Sequence, residues 1–233
     1  KAFYKTFYVP NNAVLVLAGD FEAKSATKEL KKYFEGIPKG GAIPRNKVVE
    51  PPMKGEIRDT VYDKVQLPAV VEAYRIPALG TPDFYAVDML NRLLSNGNSS
   101  RLVKNVKDAE QKAVYVGSFS LPLEDPGLSI AFAVANMGVS PDSLEKSMDR
   151  QFARVRDEVV PDEELQKLKT QIETEDAMDR SRWAGIANNL ADAYTVLCDT
   201  KKVNTEVDQC LAVTASDLQR VARKYFVPEN RVV

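Results

Sequence analysis

One residue type that most hydrolytic active sites need is missing from this chain, because its 233 residues include no histidine. Zinc hydrolases use imidazoles as metal ligands, and Ser-His-Asp and Cys-His enzymes use one as the general base. None of these sites can be built from this sequence. A glycine-rich phosphate loop is not found either, since Gly36, Gly40 and Gly41 fall in a proline-rich stretch rather than between a strand and a helix.

The remaining side chains that could do chemistry also have plainer interpretations. A run of carboxylates could supply oxygen ligands, but charges along a long helix more often form its solvated face. The run comprises Glu163, Glu164, Glu173, Glu175 and Asp176. Without histidine, and without carboxylates at ligand spacing, we expect this polypeptide to bind zinc only adventitiously.

A serine pair and two cysteines complete the candidates. Ser99 and Ser100, followed by Arg101, could contact a ligand between two helix ends, although a serine at that place is more simply a helix cap. Cys198 and Cys210 lack metal-type spacing and are too few for a disulfide scaffold, so we expect two buried free thiols.

Composition describes a globular chain with no clustered charge. Hydrophobic residues make up 44% and charged residues 28%, which allows a sizeable core, and the net charge is −1. That balance argues against nucleic acid as a partner. The sequence shows no signal-peptide pattern and no transmembrane segment, so a soluble protein is expected, and the compartment stays open, with a periplasmic or organellar parent among the choices.

A short segment occurs twice, near both ends of the chain. Residues 7–14 read Phe-Tyr-Val-Pro-Asn-Asn-Ala-Val and residues 225–232 read Tyr-Phe-Val-Pro-Glu-Asn-Arg-Val, 218 residues apart. Both predict a helix end, a turn at Pro-x-Asn and the start of a strand. Either the match is chance or the chain is a piece of a longer, internally duplicated protein.

Hydrophobic periodicity predicts the remaining elements. Strands are expected at 13–18, 57–65, 69–76, 113–121 and 128–136, and helices open at Thr81, at Ser99 or Ser100, at Ser140, near Pro161 and at Thr214. Residues 36–55, which hold four prolines and four glycines, predict a linker. Short connections between paired strands favour one antiparallel sheet with helices mainly on one face, an α+β sandwich.

The order of these motifs resembles the pitrilysin, insulinase and mitochondrial processing peptidase family, the inverzincins. Residues 8–21 resemble the closing strand of that family's metal-bearing domain. Residues 93–102, Leu-Leu-Ser-Asn-Gly-Asn-Ser-Ser-Arg-Leu, resemble the glycine-rich turn of its companion domain, and residues 114–116 and 213–218 resemble the strand and last helix that follow.

The resemblance implies an inactive companion domain of a zinc metallopeptidase. The H-x-x-E-H helix and a further glutamate ligand would lie upstream of Lys1, so Zn²⁺ is implied for the parent protein and no cofactor for this chain. The implied domains are 1–35, the tail of a preceding homologous domain, then the linker 36–55, and the companion domain 56–233. The implied partners are the metal-bearing domain, in the same protein or a paired subunit, and an extended peptide.

The same resemblance suggests where a peptide substrate could be held. Family members can place an Arg and a Tyr seven residues apart against the substrate backbone. Tyr115 fits the Tyr position, but Asp108 stands seven residues earlier and Lys107 is the nearest cation. Lysine lacks the planar fork of arginine, so a half-buried strand tyrosine beside a solvated lysine is the simpler interpretation. Tyr115, Lys107 and Arg101 are therefore the candidate substrate-binding residues, and no residue is a catalytic candidate.

Two functions follow. The chain is a non-catalytic domain that encloses the substrate of a zinc metalloendopeptidase, or it is an assembly domain of a catalytically dead relative that scaffolds a partner.

A final expectation concerns the apolar segment 13–18, which should dock at an open edge of the companion sheet, in cis or from a neighbouring chain in a strand-swapped homo-oligomer.

Overall fold

The computed structural model describes residues 1–45 and 49–233, so residues 46–48 of the predicted linker lie outside the described residues. The chain divides into two compact units. One comprises Lys1–Pro51 with Asp176–Val203, and the other comprises Pro52–Glu175 with Asn204–Val233. The predicted domain limits at 35 and 56 do not follow this division and stay a prediction.

The first unit is helical. It contains α1 (Ala2–Phe7), α2 (Ala23–Phe34), the end of α5 (Asp162–Arg180) and α6 (Trp183–Leu197). The α2 helix begins after Glu22, whose carboxylate accepts a hydrogen bond from the Ser25 backbone N–H at 2.7 Å. Neither α1 nor α2 has a buried residue. Their apolar side chains are therefore largely open to solvent.

The second unit contains a four-stranded antiparallel sheet. Its strands are β1 (Ala69–Ile76), β2 (Ala113–Leu121), β3 (Gly127–Ala135) and β4 (Arg231–Val232), in the order β2-β3-β1-β4. The central pair is β1 and β3, with Ala69 opposite Val134, and β2 pairs with β3 through a short connection. The predicted α+β class and antiparallel sheet are confirmed.

Five helices accompany this sheet within the described residues: α3 (Pro82–Ser95), α4 (Pro141–Asp157), most of α5, α7 (Glu206–Ala212) and α8 (Ala215–Tyr225). The predicted helix starts at Thr81, Ser140 and Thr214 are confirmed, and each of these side-chain oxygens accepts a backbone N–H of the first helical turn. Thr214 and Asp217 form a reciprocal capping box. These local signals explain why the helix starts were readable from sequence.

The core lies between the helices and one face of the sheet. Along β1, the side chains of Val70, Glu72, Tyr74 and Ile76 are buried while their neighbours are not. Helix α3 packs on β2, α4 packs on β1 and β3, and α8 packs on β1, α3 and α4. Because the helices pack on one face of the sheet, they bury every second residue of the strands. No helix in the described part of this unit covers the other face.

Two predicted strands are wrong. Residues 57–65 form no strand; only Ile57 makes a bridge, and it runs parallel to Val232. Residues 13–18 also form no strand. The place beside β1 is taken by β4, so the expected docking of 13–18 in this sheet in cis is wrong as well. An apolar, β-branched sequence does not form a strand without a paired neighbour.

The long helix predicted to open near Pro161 is interrupted. The α5 helix ends at Arg180 and α6 begins at Trp183, because Ser181 and Arg182 leave the helical conformation. Close packing at this break is permitted by Gly185, where a β-carbon would lie 2.2 Å from the Asp179 carbonyl oxygen. Among the described helices, none has the length and apolar composition required to cross a bilayer.

The duplicated segment has the same local geometry in both copies. In each copy two residues separate the end of the helix from a short 3-10 helix, at Pro10–Asn12 and Pro228–Asn230. In each turn the Asn amide donates a hydrogen bond to a carbonyl at the helix end, Asn12 to Phe7 at 2.9 Å and Asn230 to Tyr225 at 2.7 Å. The predicted helix end and turn are confirmed in both copies, whereas the strand predicted after the turn forms only in the second copy, as β4.

Candidate substrate-binding surfaces

The uncovered face of the sheet carries the first candidate residue, Tyr115. Its side chain is 57% exposed, and its ring stacks on Phe132 with centroids 5.4 Å apart. Phe119 meets the same Phe132 ring edge-on at 6.2 Å. Val71 and Leu121 are also largely exposed on these strands. The face therefore presents an aromatic and aliphatic surface rather than a solvated polar one.

Local backbone features place the tyrosine on this face. The register of β2 shifts between Ala113 and Tyr115, so Val114 is an extra residue in the ladder. Such a bulge changes which side chains point to which face. Gly117 then makes room for the neighbouring ring, because a β-carbon there would lie 3.3 Å from Cε1 of Phe132.

Lys107 lies on a different element, a π-helix at Val103–Ala109 that connects to β2. Its side chain is exposed. The chain then turns through Gln111 in the left-handed region, at φ 52°, before β2 begins. The π-helix carries no signal that periodicity reveals, so the spacing between Lys107 and Tyr115 could not be converted into a distance from sequence.

Arg101 is buried, with only 8% of its surface exposed. Its Nε donates to Oε2 of Glu164 at 2.9 Å. Its Nη1 is buried and has no hydrogen-bond partner within the described chain. This arginine is therefore paired on one side only. A guanidinium has five donors, and leaving a buried donor unused costs free energy.

Arg101 lines a cleft of about 520 Å³. The lining residues are Arg92, Leu93, Ser99, Arg101, Lys104, Asn105, Arg154, Glu163, Glu164, Lys167 and Leu168. Neither Tyr115 nor Lys107 is among them, so the structure does not gather the three candidates into one site. Sequence reasoning missed Lys104, Asn105 and Lys167. The spacing of Glu163, Glu164, Lys167 and Leu168 on one face of α5 could have indicated Lys167, but it gives no signal for Lys104 and Asn105 on the π-helix.

The serine pair does not cap a helix. Ser100 Oγ is buried without a hydrogen-bond partner in the described chain, and Ser99 Oγ accepts a hydrogen bond from Nζ of Lys167 at 2.7 Å. The capping interpretation is therefore wrong for both. A π-helix follows almost at once, and the expected α-helical first turn is only Arg101 and Leu102.

The carboxylate run is not only a solvated face. Glu164 pairs with Arg101, and Glu175 pairs with Arg92 at 2.5 Å. Among the residues that the structure describes, no group of three or more acidic or cysteine side chains could hold a metal ion. Glu164 and Glu175 therefore serve as ion-pair partners for basic residues of the same unit.

The two cysteines are free thiols in different surroundings. Cys210 is partly buried, and burial raises the pKa of its thiol to about 12. Cys198 is exposed, in the left-handed conformation that ends α6. The prediction of two buried thiols is thus wrong for Cys198, because a helix C-terminal residue with positive φ lies at the surface.

Comparison with known protein families now places the chain. A model of the peptidase M16 inactive domain matches residues 1–172. This chain belongs to the peptidase M16 inactive-domain family. The resemblance drawn from the sequence motifs is confirmed, and the chain is the non-catalytic type of M16 domain.

Several relatives and solved structures are similar to this M16 domain. It is 30% identical over 229 residues to the zinc protease PqqE of Helicobacter pylori, covering 97% of this chain and 51% of that protein. It superposes on a crystal structure of a protease from Helicobacter pylori with a TM-score of 0.93 and 28% identity, covering 100% of this chain and 57% of that one. The inactive M16 domain from Pseudomonas fluorescens shares the fold, with a TM-score of 0.73 and 18% identity. The chain spans about half the length of these relatives.

The zinc implied by the family does not fit the residues of this M16 domain. Zinc sites are built from His, Cys and carboxylate ligands, and this chain has no histidine. Its two cysteines are not clustered with acidic side chains in the described structure. No step of a zinc-dependent reaction can therefore be assigned to the residues of this chain.

Proposed function

We propose that this M16 domain is the substrate-enclosing half of a zinc-dependent metalloendopeptidase. The metal-bearing domain, in the same protein or a paired subunit, supplies Zn²⁺ and the catalytic groups. The M16 inactive domain supplies a wall along which an extended peptide lies. Its own residues contribute contact and orientation, and they transfer no proton.

The uncovered sheet face is the observation that carries this proposal. A sheet in a soluble domain normally buries one face and solvates the other with polar side chains. Here the second face presents Tyr115, Phe119, Leu121 and Val71, each more than two fifths exposed. Exposed apolar patches of this kind mark surfaces that contact another chain. An extended peptide with alternating apolar side chains suits a pleated, aromatic surface.

The candidate substrate contacts have different roles in this proposal. Tyr115 is exposed, and its ring is held by Phe132, so it can stack on or donate a hydrogen bond to a peptide. Lys107 is exposed and offers a point charge. Arg101 is buried beside Glu164 and can contact a ligand only within its cleft.

The domain organisation is part of the same proposal. Residues 1–35 are the tail of a preceding homologous domain, 36–55 are the linker, and 56–233 are the companion domain. The shared geometry of the Pro10 and Pro228 turns supports duplication. Residues 3–37 expose Phe3, Tyr4, Tyr8, Phe34 and Ile37, which line an apolar groove of about 890 Å³. We expect the rest of the preceding domain to cover that groove, or a second copy of the chain to do so when it is isolated.

The experiment uses the full-length parent protein with its zinc. We expect Tyr115→Ala and Phe119→Ala to raise KM for an extended peptide while leaving zinc content unchanged. Lys146→Ala, an exposed change on α4 away from this face, is the matched control. Unchanged KM in both face variants contradicts the substrate-wall role. Absence of peptide cleavage by the zinc-loaded parent favours the assembly role instead.

A further inference from the structure

The cleft beside Arg101 has more positive charge than its own chain neutralises. Five of its lining side chains are basic and two are acidic. Arg92 is paired with Asp88 at 3.0 Å and with Glu175, and Arg154 is near Glu158 at 3.4 Å. Three cations remain: Arg101, paired on one side only, and Lys104 and Lys167, which have no ion-pair partner in the described chain.

Two further observations indicate that this cleft is built for a ligand. The Nη1 group of Arg101 is a buried donor without an acceptor, which native structures rarely leave unexplained. Lys104 and Asn105 reach the cleft from the π-helix Val103–Ala109. Helices of this type are uncommon and occur frequently at functional sites.

We infer that this cleft binds a carboxylate group of a peptide, either its C terminus or an acidic side chain. Arg101 offers a planar donor group at the inner wall, and Lys104 and Lys167 offer charge at the more open side. Nζ of Lys167 already donates to the neutral Ser99 hydroxyl, so its charge is available to a carboxylate. The identification of the ligand as a peptide rests on the proposed function, whereas the anion site itself does not.

The acidic lining residues favour a peptide carboxylate over a phosphate. Glu163 and Glu164 line the same cleft as the three cations. A phosphate carries more negative charge than a carboxylate and no N–H donors beside it, so these two glutamates would repel it. A peptide brings backbone N–H groups next to its carboxylate, and glutamate oxygens can accept them. A volume of about 520 Å³ is in the range of ligand sites.

The test is calorimetric titration of the 233-residue chain, without metal, with a tetraglutamate peptide that has a free C terminus. We expect binding that weakens as salt rises and that is absent for an amidated tetraglutamine peptide. The double variant Lys104→Ala, Lys167→Ala should weaken binding by at least about tenfold. Lys169→Ala, on the same helix but outside the cleft, should leave the affinity unchanged.

A second variant addresses the buried arginine without deleting its charge. Arg101→Lys retains a cation for Glu164 but loses the planar fork, and we expect it too to bind the peptide more weakly while its circular dichroism is unchanged. Equal affinity for the acidic and neutral peptides, or no effect of the double variant, overturns the inference. Tighter binding of inorganic phosphate than of the peptide overturns the peptide assignment. Because no peptidase activity is measured, these outcomes are separate from failure of the substrate-wall proposal.

Discussion

The two copies of the duplicated segment share a backbone geometry but not an environment. In the first copy Tyr8 is 67% exposed, whereas its counterpart Phe226 is fully buried, with its ring 5.1 Å from Tyr74 and 5.5 Å from Phe152. After the turn, Ala13 is extended but residues 13–18 form no strand, whereas Arg231 begins β4. Local sequence is therefore sufficient for the helix end and the turn, and only tertiary partners convert the following residues into a strand.

Removing the buried ring of Phe226 should cause the largest difference in stability between changes in the two copies. We expect Phe226→Ala to lower the free energy of unfolding by about 4–5 kcal/mol, because it leaves a cavity against two aromatic rings. Tyr8→Ala, the equivalent change in the exposed copy, should alter it by no more than about 0.5 kcal/mol. Urea denaturation followed by circular dichroism measures both. Similar losses in the two variants would mean that the first copy is buried as well as the second.

A second contrast is the residue that follows the turn, alanine in one copy and arginine in the other. Arg231 is buried among Glu56, Glu72, Glu145 and Asp149, with Nε to Glu56 at 2.5 Å and Nη1 to Asp149 at 2.5 Å. Arg231→Ala copies the first segment into the second and leaves four carboxylates without their central cation. We expect a loss of about 3–5 kcal/mol.

The control for that variant lies in the same network. Arg58 pairs with Glu56 at 2.8 Å and Glu145 at 2.5 Å, but its side chain is half exposed. Arg58→Ala should therefore cost about 1 kcal/mol or less. A larger loss for Arg58 than for Arg231 in urea denaturation would contradict the view that burial decides the effect.

Sequence reasoning succeeded where the determinant was local. Helices begin at Thr81, Ser140 and Thr214 as predicted, and residues 69–76 form the expected strand with its limits correct. It failed where the determinant was distant. Residues 13–18 and 57–65 have strand-like patterns, yet pairing depends on which other segment reaches the edge of β1.

The candidate site shows the same limit. Tyr115 could be placed on a strand, and Arg101 at a turn, from sequence patterns alone. Their separation into a sheet face and a cleft depends on the π-helix and on the bulge at Val114, which insert residues without a compositional signal. The buried position of Glu72 was equally hidden, because a glutamate in an alternating strand reads as solvent-facing.

Glu72 makes the stability of the second copy depend on pH, because it lies on β1 next to Arg231. Burial raises the pKa of its carboxyl to about 7, against the hydrogen bond from Tyr74. Arg231 faces it with opposite charge, while Asp149 and Glu145 add like charge. The folded state thus retains a proton that the unfolded chain releases near pH 4.5, so Glu72 should lower stability as pH rises from about 4.5 to about 7.

Replacing the Glu72 carboxyl by an amide should make stability depend less on pH. Glu72→Gln keeps an oxygen for the Tyr74 hydroxyl but cannot ionise. We expect the wild type to lose roughly 3 kcal/mol more than the variant between pH 4.5 and pH 7.5. Urea denaturation at several pH values gives the difference curve. A difference that is constant with pH would show that Glu72 ionises in the folded state as it does in water.

The smallest effect concerns the turn itself. The Asn230 amide donates to the Tyr225 carbonyl at 2.7 Å and to the Arg75 carbonyl at 2.8 Å, which ties the turn to β1. The Asn12 amide donates to the Phe7 carbonyl in an exposed setting. We expect Asn230→Ala to cost about 1–3 kcal/mol, because partly buried carbonyls lose their donor, and Asn12→Ala to cost about 1 kcal/mol or less.

Urea denaturation and hydrogen exchange at Val233 separate the two variants. Faster exchange should follow only the Asn230 change, since the Val233 backbone N–H donates to the Ile57 carbonyl beside β4. Equal costs and equal exchange in both variants would mean that the turn is stabilised locally in each copy and does not depend on the sheet.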